Sequence, residues 1–345
     1  MAAIRETRSG GTHGWPGSPE LTRDVLCYVQ RRRISDWKRQ VFREEKPLFM
    51  FGSNDRRVFA RIQPGDRLWI VTARGDGLLS LTARIIVDRA GPFGDPALGI
   101  PDHRMHPFRE WKWMVRGAGG SEFYGHNDAS DALLGTVFSS ASGRPRMLAP
   151  EGGPWKSTLG NRLQGPALIC PAGIPFGGIA SPGSAHLEAL AARKKCSVFI
   201  SYKWQDQNRA AVRTLADALS RAGLMPWLDQ LALPRARVSA RISQDEPTLR
   251  RLLHYGYGQC PLLLGLYSPH YGVQTGTHAG SWSGREWRND LGAPSPKIKV
   301  LYNPDRLEPS TLVADRNAEL TQPGFDAMAA ALKGIILQGY TGSSG

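Results

Sequence analysis

Glu286 is the residue of this sequence best suited to chemistry, because its carboxylate stands alone in a long neutral-to-basic stretch. Residues 247–289 contain no other Asp or Glu. A carboxylate in such surroundings stabilises the positive charge that builds on a sugar carbon when a glycosidic bond breaks, and it also binds sugar hydroxyls. The alternative interpretation is a surface carboxylate paired with Arg285 or Arg288, an arrangement that is common and weakly stabilising.

The elements that precede Glu286 predict where such a site lies. Residues 198–200 form a β-branched and aromatic run typical of a strand that is covered on both faces. Apolar residues spaced three or four apart follow over 212–222, which predicts a helix, and residues 224–228 read as the next strand. A βαβ unit makes the two strands parallel. Ligands bind at the carboxyl ends of such strands, where we expect Ser201, Tyr202 and Asp229.

Four motifs in this order resemble the TIR (Toll/interleukin-1 receptor) domain family. They are residues 199–202 (Phe-Ile-Ser-Tyr), 227–229 (Trp-Leu-Asp), 262–271 (Leu-Leu-Leu-Gly-Leu-Tyr-Ser-Pro-His-Tyr) and 281–287, in which Trp282 and Glu286 are separated by three residues. The resemblance covers roughly residues 194–338. It implies an α/β, flavodoxin-like domain with a parallel sheet. Residues 272–280 form a Gly-rich insertion that is unusual between the last two motifs of the family.

The TIR resemblance also implies an activity. Enzymatic TIR domains use the Glu of the Trp-xxx-Glu motif to cleave NAD+, and by position that catalytic residue is Glu286. NAD+ is then the substrate and no further cofactor or metal is implied. The products expected are nicotinamide with either ADP-ribose or a cyclic isomer. The residues expected to border the substrate are Ser201, Tyr202, Trp204, Asp229, Ser268 and Trp282. Family members work as homo-oligomers through TIR–TIR contacts, and the bacterial type acts in antiphage immunity.

The N-terminal half has a different pattern, in which short strands alternate with turns. We predict strands over 58–62, 67–71 and 79–87, separated by a Pro-Gly turn at 64–65 and a Gly-rich turn at 74–77. The pattern predicts a small β-rich domain. Its order of turn and strands resembles PUA-like and EVE-like barrels, which recognise nucleic-acid bases or small ligands. This half is therefore expected to sense an activating ligand, with a nucleotide or a nucleic acid among the candidates.

Aromatic residues are dense after these strands, and two interpretations of them are open. They form either a stacking cage for a base or part of the hydrophobic core, with Trp111 and Trp113 as two inward-facing residues of one strand, and the core is the more common use of aromatic residues. We also predict a helix start with Asp128 or Ser130 as its N-cap, and a loop position for His126. The aromatic residues concerned are Phe108, Trp111, Trp113, Phe123 and Tyr124.

Length and composition set the remaining expectations. The 345 residues predict two domains, and the formal charge of +14 is spread along the chain, which argues against a dedicated nucleic-acid-binding arm. Four scattered cysteines without a Cys-x-x-Cys pair favour a reducing cytoplasm. No apolar run approaches the ~20 residues needed to span a membrane. The expected organisation is a disordered lead-in at 1–19, a β-rich domain at 20–170, a linker at 171–193, a TIR domain at 194–338 and a flexible tail at 339–345.

Three functional hypotheses follow from the sequence. The first is a TIR NAD+ glycohydrolase or cyclase controlled by the N-terminal domain. The second is a non-enzymatic TIR adaptor that acts through TIR–TIR assembly, against which the Trp-xxx-Glu motif argues because a scaffold has no need of that carboxylate. The third is a nucleic-acid-binding regulator, which is compatible with either of the others.

Overall fold

The structure, a computed structural model, describes residues 22–74, 77–139, 145–148, 165–202, 209–228, 247–266, 298–302 and 322–341. These residues form a mixed α/β protein with a nine-stranded mixed sheet in the N-terminal half and a four-stranded parallel sheet in the C-terminal half. The predicted lead-in at 1–19 lies outside the described residues. Of the predicted tail, residues 339–341 belong to the last helix, and 342–345 lie outside the described part.

The nine-stranded sheet runs in the order β2-β5-β4-β3-β1-β9-β7-β8, with β6 added beside β4. Only β1 and β3 are parallel among its described pairs. Its strands are β1 (Asp24–Tyr28), β2 (Met50–Ser53), β3 (Arg67–Ala73), β4 (Leu79–Pro92), β5 (Trp113–Gly117), β6 (Glu122–Phe123), β7 (Val137–Ser139), β8 (Pro145–Met147) and β9 (Ala167–Ile169).

The long strand β4 organises this sheet. Its first half pairs with β3 and β6, and its second half pairs with β5 after a register shift between Val87 and Arg89. The shift bends the strand, as β-bulges do. The β-rich prediction is confirmed, as are the strands predicted over 67–71 and 79–87. Among the described strands β2 and β8 each have one neighbour, so the closed PUA-like barrel stays a prediction.

The strand predicted over 58–62 is wrong. A short helix, α2 (Arg56–Phe59), occupies the start of this segment, because the Asp55 carboxylate accepts hydrogen bonds from the backbone N–H groups of Arg57 and Val58. Side-chain capping of this kind starts a helical turn even where β-branched and aromatic residues follow. Val58 and Phe59 are still buried. The apolar pattern therefore indicated a core segment correctly, but its backbone is helical at this point and not extended.

The other N-terminal helices cover the sheet. They are α1 (Arg31–Val41), α3 (Asp102–Met105) and α4 (Ser130–Leu133). In α1, Trp37 is fully buried, donates from Nε1 to the carbonyl of Met50 at 2.6 Å, and lies 5.0 Å from the ring of Phe123. The helix start predicted near α4 is present, but its N-cap is Ala129 and neither Asp128 nor Ser130. Asp128 instead accepts a hydrogen bond from the N–H of Ser130 at 2.9 Å, just before the helix.

Residues 171–193 contain a hairpin of β10 (Pro175–Phe176) and β11 (Ile179–Ala180), followed by α5 (Ala185–Ala192). The helix agrees with the helical run predicted at 185–193. Leu187 and Leu190 of α5 pack with Leu26 and Trp69 of the nine-stranded sheet. Through α5, this segment of the chain therefore packs against the N-terminal half.

The C-terminal sheet contains β12 (Ser197–Ser201), β13 (Met225–Trp227), β14 (Leu262–Leu266) and β15 (Ile298–Tyr302). All pairs are parallel, and the spatial order is β13-β12-β14-β15. In chain order this is 2-1-3-4, the order with which flavodoxin-like sheets begin. The parallel sheet that the sequence predicted is confirmed.

The two faces of the parallel sheet are covered by different parts of the chain. One face, with Val198 and Ile200, packs against α6 (Arg209–Arg221) and α8 (Gln322–Thr341). The other face, with Phe199 and Leu263, packs against α7 (Pro247–Gln259) and belongs to the same core as the N-terminal half. No helix within the described ranges is both long and apolar enough to cross a membrane.

Candidate functional site

The carboxyl ends of the four parallel strands lie along one edge of the C-terminal sheet. The register places Ser201 opposite Gly265 and Leu266 opposite Tyr302, while Phe199 is opposite Trp227. This edge is where parallel α/β sheets bind ligands, because the loops that follow the strands converge there. It is therefore the candidate functional site of the C-terminal half.

Ser201 and Tyr202 are the two predicted site residues that the structure describes. Ser201 is the last residue of β12 and is 2% exposed, and Tyr202 follows it with 7% exposed. Tyr202 packs in the apolar cluster that also contains Leu228 and Leu266, the residues at the ends of the adjoining strands. The two residues thus form the buried floor of the edge.

The other predicted site residues lie outside the part of the chain that the structure describes. Leu228, which is 1% exposed, is the last described residue before Asp229. Their roles stay predictions. Those lying outside the described residues are Trp204, Asp229, Ser268, Trp282 and Glu286.

A polar contact joins Asp217 of α6 to the N-terminal half and was not predicted from the sequence. Nε2 of His126 is 2.6 Å from Oδ1 of Asp217 on α6, and Nη2 of Arg74 is 2.5 Å from the same oxygen. Burial acts to raise the pKa of the Asp217 carboxyl. The hydrogen bonds and charges of His126 and Arg74 outweigh burial and leave that pKa below its usual value.

A second polar group surrounds Glu122 of β6. Its carboxylate accepts from Arg84 at 3.0 Å and from the hydroxyl of Tyr124 at 2.8 Å, and it forms an ion pair with Lys194. Burial, reinforced by the negative charge of Glu122, raises the pKa of the Tyr124 hydroxyl, so it stays a donor at physiological pH. Lys194 lies three residues before Ser197, the first residue of β12, and the group thus ties the N-terminal sheet to this strand of the C-terminal sheet.

Helix α7 makes the third contact between the halves. The Arg251 guanidinium donates to the carbonyls of Phe42 and Arg43, just past the end of α1. The Tyr255 hydroxyl accepts a hydrogen bond from the N–H of Phe123 at 3.1 Å, and its ring lies 5.2 Å from Phe42. Since α7 packs on β12 and β14, these contacts fix its position from both sides.

The aromatic residues proposed for a stacking cage belong to the core. Phe108, Phe123 and Tyr124 are buried, and Trp111 and Trp113 pack against the same apolar cluster while half-buried. Phe108 and Trp111 stack on each other at 4.4 Å. The core interpretation is confirmed, with one difference: Trp113 begins β5, but Trp111 lies before the strand.

His126 lies in a loop, as predicted, and its contact with Asp217 carried no signal in the sequence. The two residues are 91 positions apart, and neither belongs to a recognisable motif. The nearest available hint was the two consecutive polar residues His126 and Asn127 before a helix start, a pattern found in many loops. The chain matches no protein-family model, no curated protein and no solved structure.

Proposed function

We propose that the protein is an NAD+ nucleosidase of the TIR type, with the carboxyl edge of the parallel sheet as its active site. The observation that carries the proposal is the four-stranded parallel sheet in the order 2-1-3-4, with Ser201 and Tyr202 of the first TIR-like motif at the end of its central strand. The segments that carry the remaining motif residues come after these strand ends in the sequence. This agreement between motif positions and strand ends supports the proposal.

The reaction cleaves the bond between C1′ of the ribose and the nicotinamide nitrogen. Nicotinamide leaves as a neutral molecule with the bonding electron pair, and positive charge develops on the ribose. The Glu286 carboxylate stabilises that charge. Water then adds to C1′ and loses a proton to give ADP-ribose, or a nitrogen of the adenine ring adds to give a cyclic isomer.

The supporting roles follow from burial and position. Ser201 and Tyr202 are almost fully buried. They are therefore proposed to form the floor of the pocket beneath the ribose and not its walls. Asp229, Trp204, Ser268 and Trp282 are proposed to border the substrate. The N-terminal half is proposed to sense an activating ligand, and the setting proposed is cytoplasmic antiphage immunity with TIR–TIR assembly into homo-oligomers.

Nicotinamide release from NAD+ tests this proposal. The purified full chain should release nicotinamide in a manner that depends on protein concentration, because assembly is part of the proposal. Glu286→Gln should lower the rate by at least about a hundredfold, since it removes the charge but keeps the shape. The matched control is Asp326→Asn, which removes an exposed carboxylate paired with Arg221 on the helical face of the sheet.

Two results would contradict the proposal. A Glu286→Gln protein as active as the wild type would remove the catalytic carboxylate from the mechanism. A wild type that forms oligomers yet releases no nicotinamide at any concentration would favour the adaptor hypothesis.

A further inference from the structure

The N-terminal half contacts an edge strand of the parallel sheet through one short segment. Among the described strands, β13 pairs only with β12, so its other side is an edge. Pro226 lies in the middle of β13. Because proline has no N–H to donate to a neighbouring strand, it occurs in sheets mainly on edge strands such as this one. The Pro226 carbonyl accepts a hydrogen bond from the backbone N–H of His126 at 2.6 Å. The N-terminal half therefore covers this edge.

Gly125 shows how closely the two halves approach at this point. A Cβ atom placed on Gly125 would lie 2.6 Å from the carbonyl oxygen of Pro226 and 3.1 Å from the side chain of Met225. Met225 itself is fully buried in a cluster whose other members come from the N-terminal sheet and α5. The contact leaves no room for even one methyl group.

Residues 122–127, here named the coupling segment, reach four elements of the C-terminal half. Glu122 pairs with Lys194 before β12, and the N–H of Phe123 donates to Tyr255 of α7. Gly125 and His126 contact β13, and His126 also binds Asp217 of α6. The segment leaves the nine-stranded sheet directly from β6, which pairs with the centre of β4.

We propose that the coupling segment transmits structural change in the N-terminal half to the carboxyl edge of the parallel sheet by setting the position of β13. Pro226, which the segment holds, is three residues before Asp229, and the strand between them is short and buried. A shift of residues 124–127 relative to β6 therefore displaces the end of β13. The link to catalysis rests on the proposed function, whereas the mechanical link between the halves does not.

Coupling of this kind is reciprocal. If a ligand on the N-terminal half changes the affinity of the carboxyl edge for its own ligand, binding at the carboxyl edge changes the affinity for the N-terminal ligand by the same factor. Backbone amide exchange follows the coupling segment and β13 directly, because it reports local opening along the chain. The inference is therefore testable without knowledge of the activating ligand.

Gly125→Ala is the variant that tests the coupling segment. The added methyl acts as a wedge against Pro226 and removes no hydrogen-bonding group. We expect amide exchange in residues 209–228 to become about tenfold faster, while β3 and β4 exchange as in the wild type. Nicotinamide release should fall about tenfold, because small displacements of reacting groups are costly. The matched control is Gly119→Ala, where an added Cβ has no neighbour within 4 Å and the backbone needs no positive φ.

The outcomes separate this inference from the proposed function. A wild type without NAD+ cleavage would overturn the proposed function, and the exchange data would still decide the coupling. Gly125→Ala with wild-type exchange in residues 209–228 would overturn the coupling, even if NAD+ is cleaved. If Gly125→Ala fails to fold, His126→Gln is measured instead. It should speed exchange in the same residues to a smaller extent, and unchanged exchange would likewise overturn the coupling.

Discussion

The two sheets of this protein are buried in different ways. The N-terminal sheet combines antiparallel pairs with its own helices and the aromatic residues of its loops, and it forms most of two apolar clusters by itself. The parallel sheet has two of its own helices, α6 and α8, on one face, and of its described helices α7 covers the other. On the other face, Phe199, Trp227 and Leu263 belong to a cluster that is mainly N-terminal.

This difference shows why the halves are coupled. All-parallel sheets need cover on both faces, because their strands are apolar throughout. Among the described residues, the second face of the C-terminal sheet obtains its cover from α7 together with the N-terminal half. A change in one half therefore alters the packing of the other, and the following variants test how strongly.

The largest effect is expected for Tyr255→Ala. The Tyr255 ring bridges Phe42 and Phe123 of the N-terminal half to Trp227 of β13. Its removal should lower the free energy of unfolding by about 2–4 kcal/mol, somewhat less than for a fully buried aromatic residue, because Tyr255 is only partly buried. Denaturant unfolding measures this value, and Tyr255→Phe is the control, with a loss of about 1 kcal/mol for the hydrogen bond alone. A loss under about 1 kcal/mol for Tyr255→Ala would mean that the halves are stable independently.

The second-largest effect is expected for Lys38→Met, and this substitution should raise the free energy of unfolding instead of lowering it. Lys38 of α1 is 5% exposed, its Nζ lies 5.5 Å from the centroid of Phe123, and burial lowers the pKa of its ammonium to about 8. Burying this charge costs stability at neutral pH, since the unfolded chain keeps the proton up to a pH of about 10.4. Lys38→Met should therefore raise the free energy of unfolding by roughly 1–3 kcal/mol at pH 7.

The pH dependence distinguishes this cause from better packing. For the Lys38 ammonium, the unfolded chain binds more protons than the folded protein between about pH 8 and pH 10.4, so the cost of burying it falls as pH rises. The gain in the free energy of unfolding of Lys38→Met over the wild type should therefore shrink over this range. This difference is the quantity to measure, because burial raises the pKa values of Cys27 and Cys260, which act with the opposite sign in both proteins. The control is the exposed Lys46→Met, which should behave as the wild type. A gain of Lys38→Met that is constant over this range would show that the ammonium is well solvated.

The smallest effect is expected for Asp217→Asn. The Asp217 side chain is 35% exposed, so solvent weakens its pairing with His126 and Arg74, and the variant should cost under about 1 kcal/mol at pH 7. The pKa of Asp217 is lowered in the folded state. Its contribution is therefore complete above the unfolded pKa of about 3.9 and is lost as pH falls through the folded value.

Unfolding measured from pH 7 down to pH 2 tests this prediction. The difference between the wild type and Asp217→Asn should shrink below about pH 4. Asp326→Asn serves as control, because its exposed pair with Arg221 lies within the C-terminal half. A difference that is constant over the whole range would mean that the ionised carboxylate of Asp217 does not hold the two halves together.

Local pattern was sufficient for much of the fold. The apolar run 198–200 indicated a strand buried on both faces, and the alternation over 79–87 indicated a strand with one more exposed face, and both are present. Residues 58–62 had a strand-like composition, yet the capping carboxylate of Asp55 starts a helix there. Composition was misleading at this point because a single side-chain hydrogen bond outweighed a weak propensity.

The candidate site also has a part that the sequence predicted and contacts nearby that it did not. The sequence predicted that Ser201 and Tyr202 end a parallel strand, because strand and helix periodicity are local properties. It did not indicate the contacts of His126 with Asp217 or of Phe123 with Tyr255, which join residues 91 and 132 positions apart. Contacts over such distances leave no periodic trace in a single sequence.

By itself, the sequence determined the strands, the parallel arrangement and the motifs at their ends, since each depends on residues close together in the chain. Only the tertiary structure decided that the second face of the parallel sheet is covered by the other half, that Lys38 is buried, and that Gly125 meets Pro226. The physical reason is that burial and close approach depend on which surfaces meet after folding. The same local pattern of residues is compatible with many different ways of packing these surfaces together.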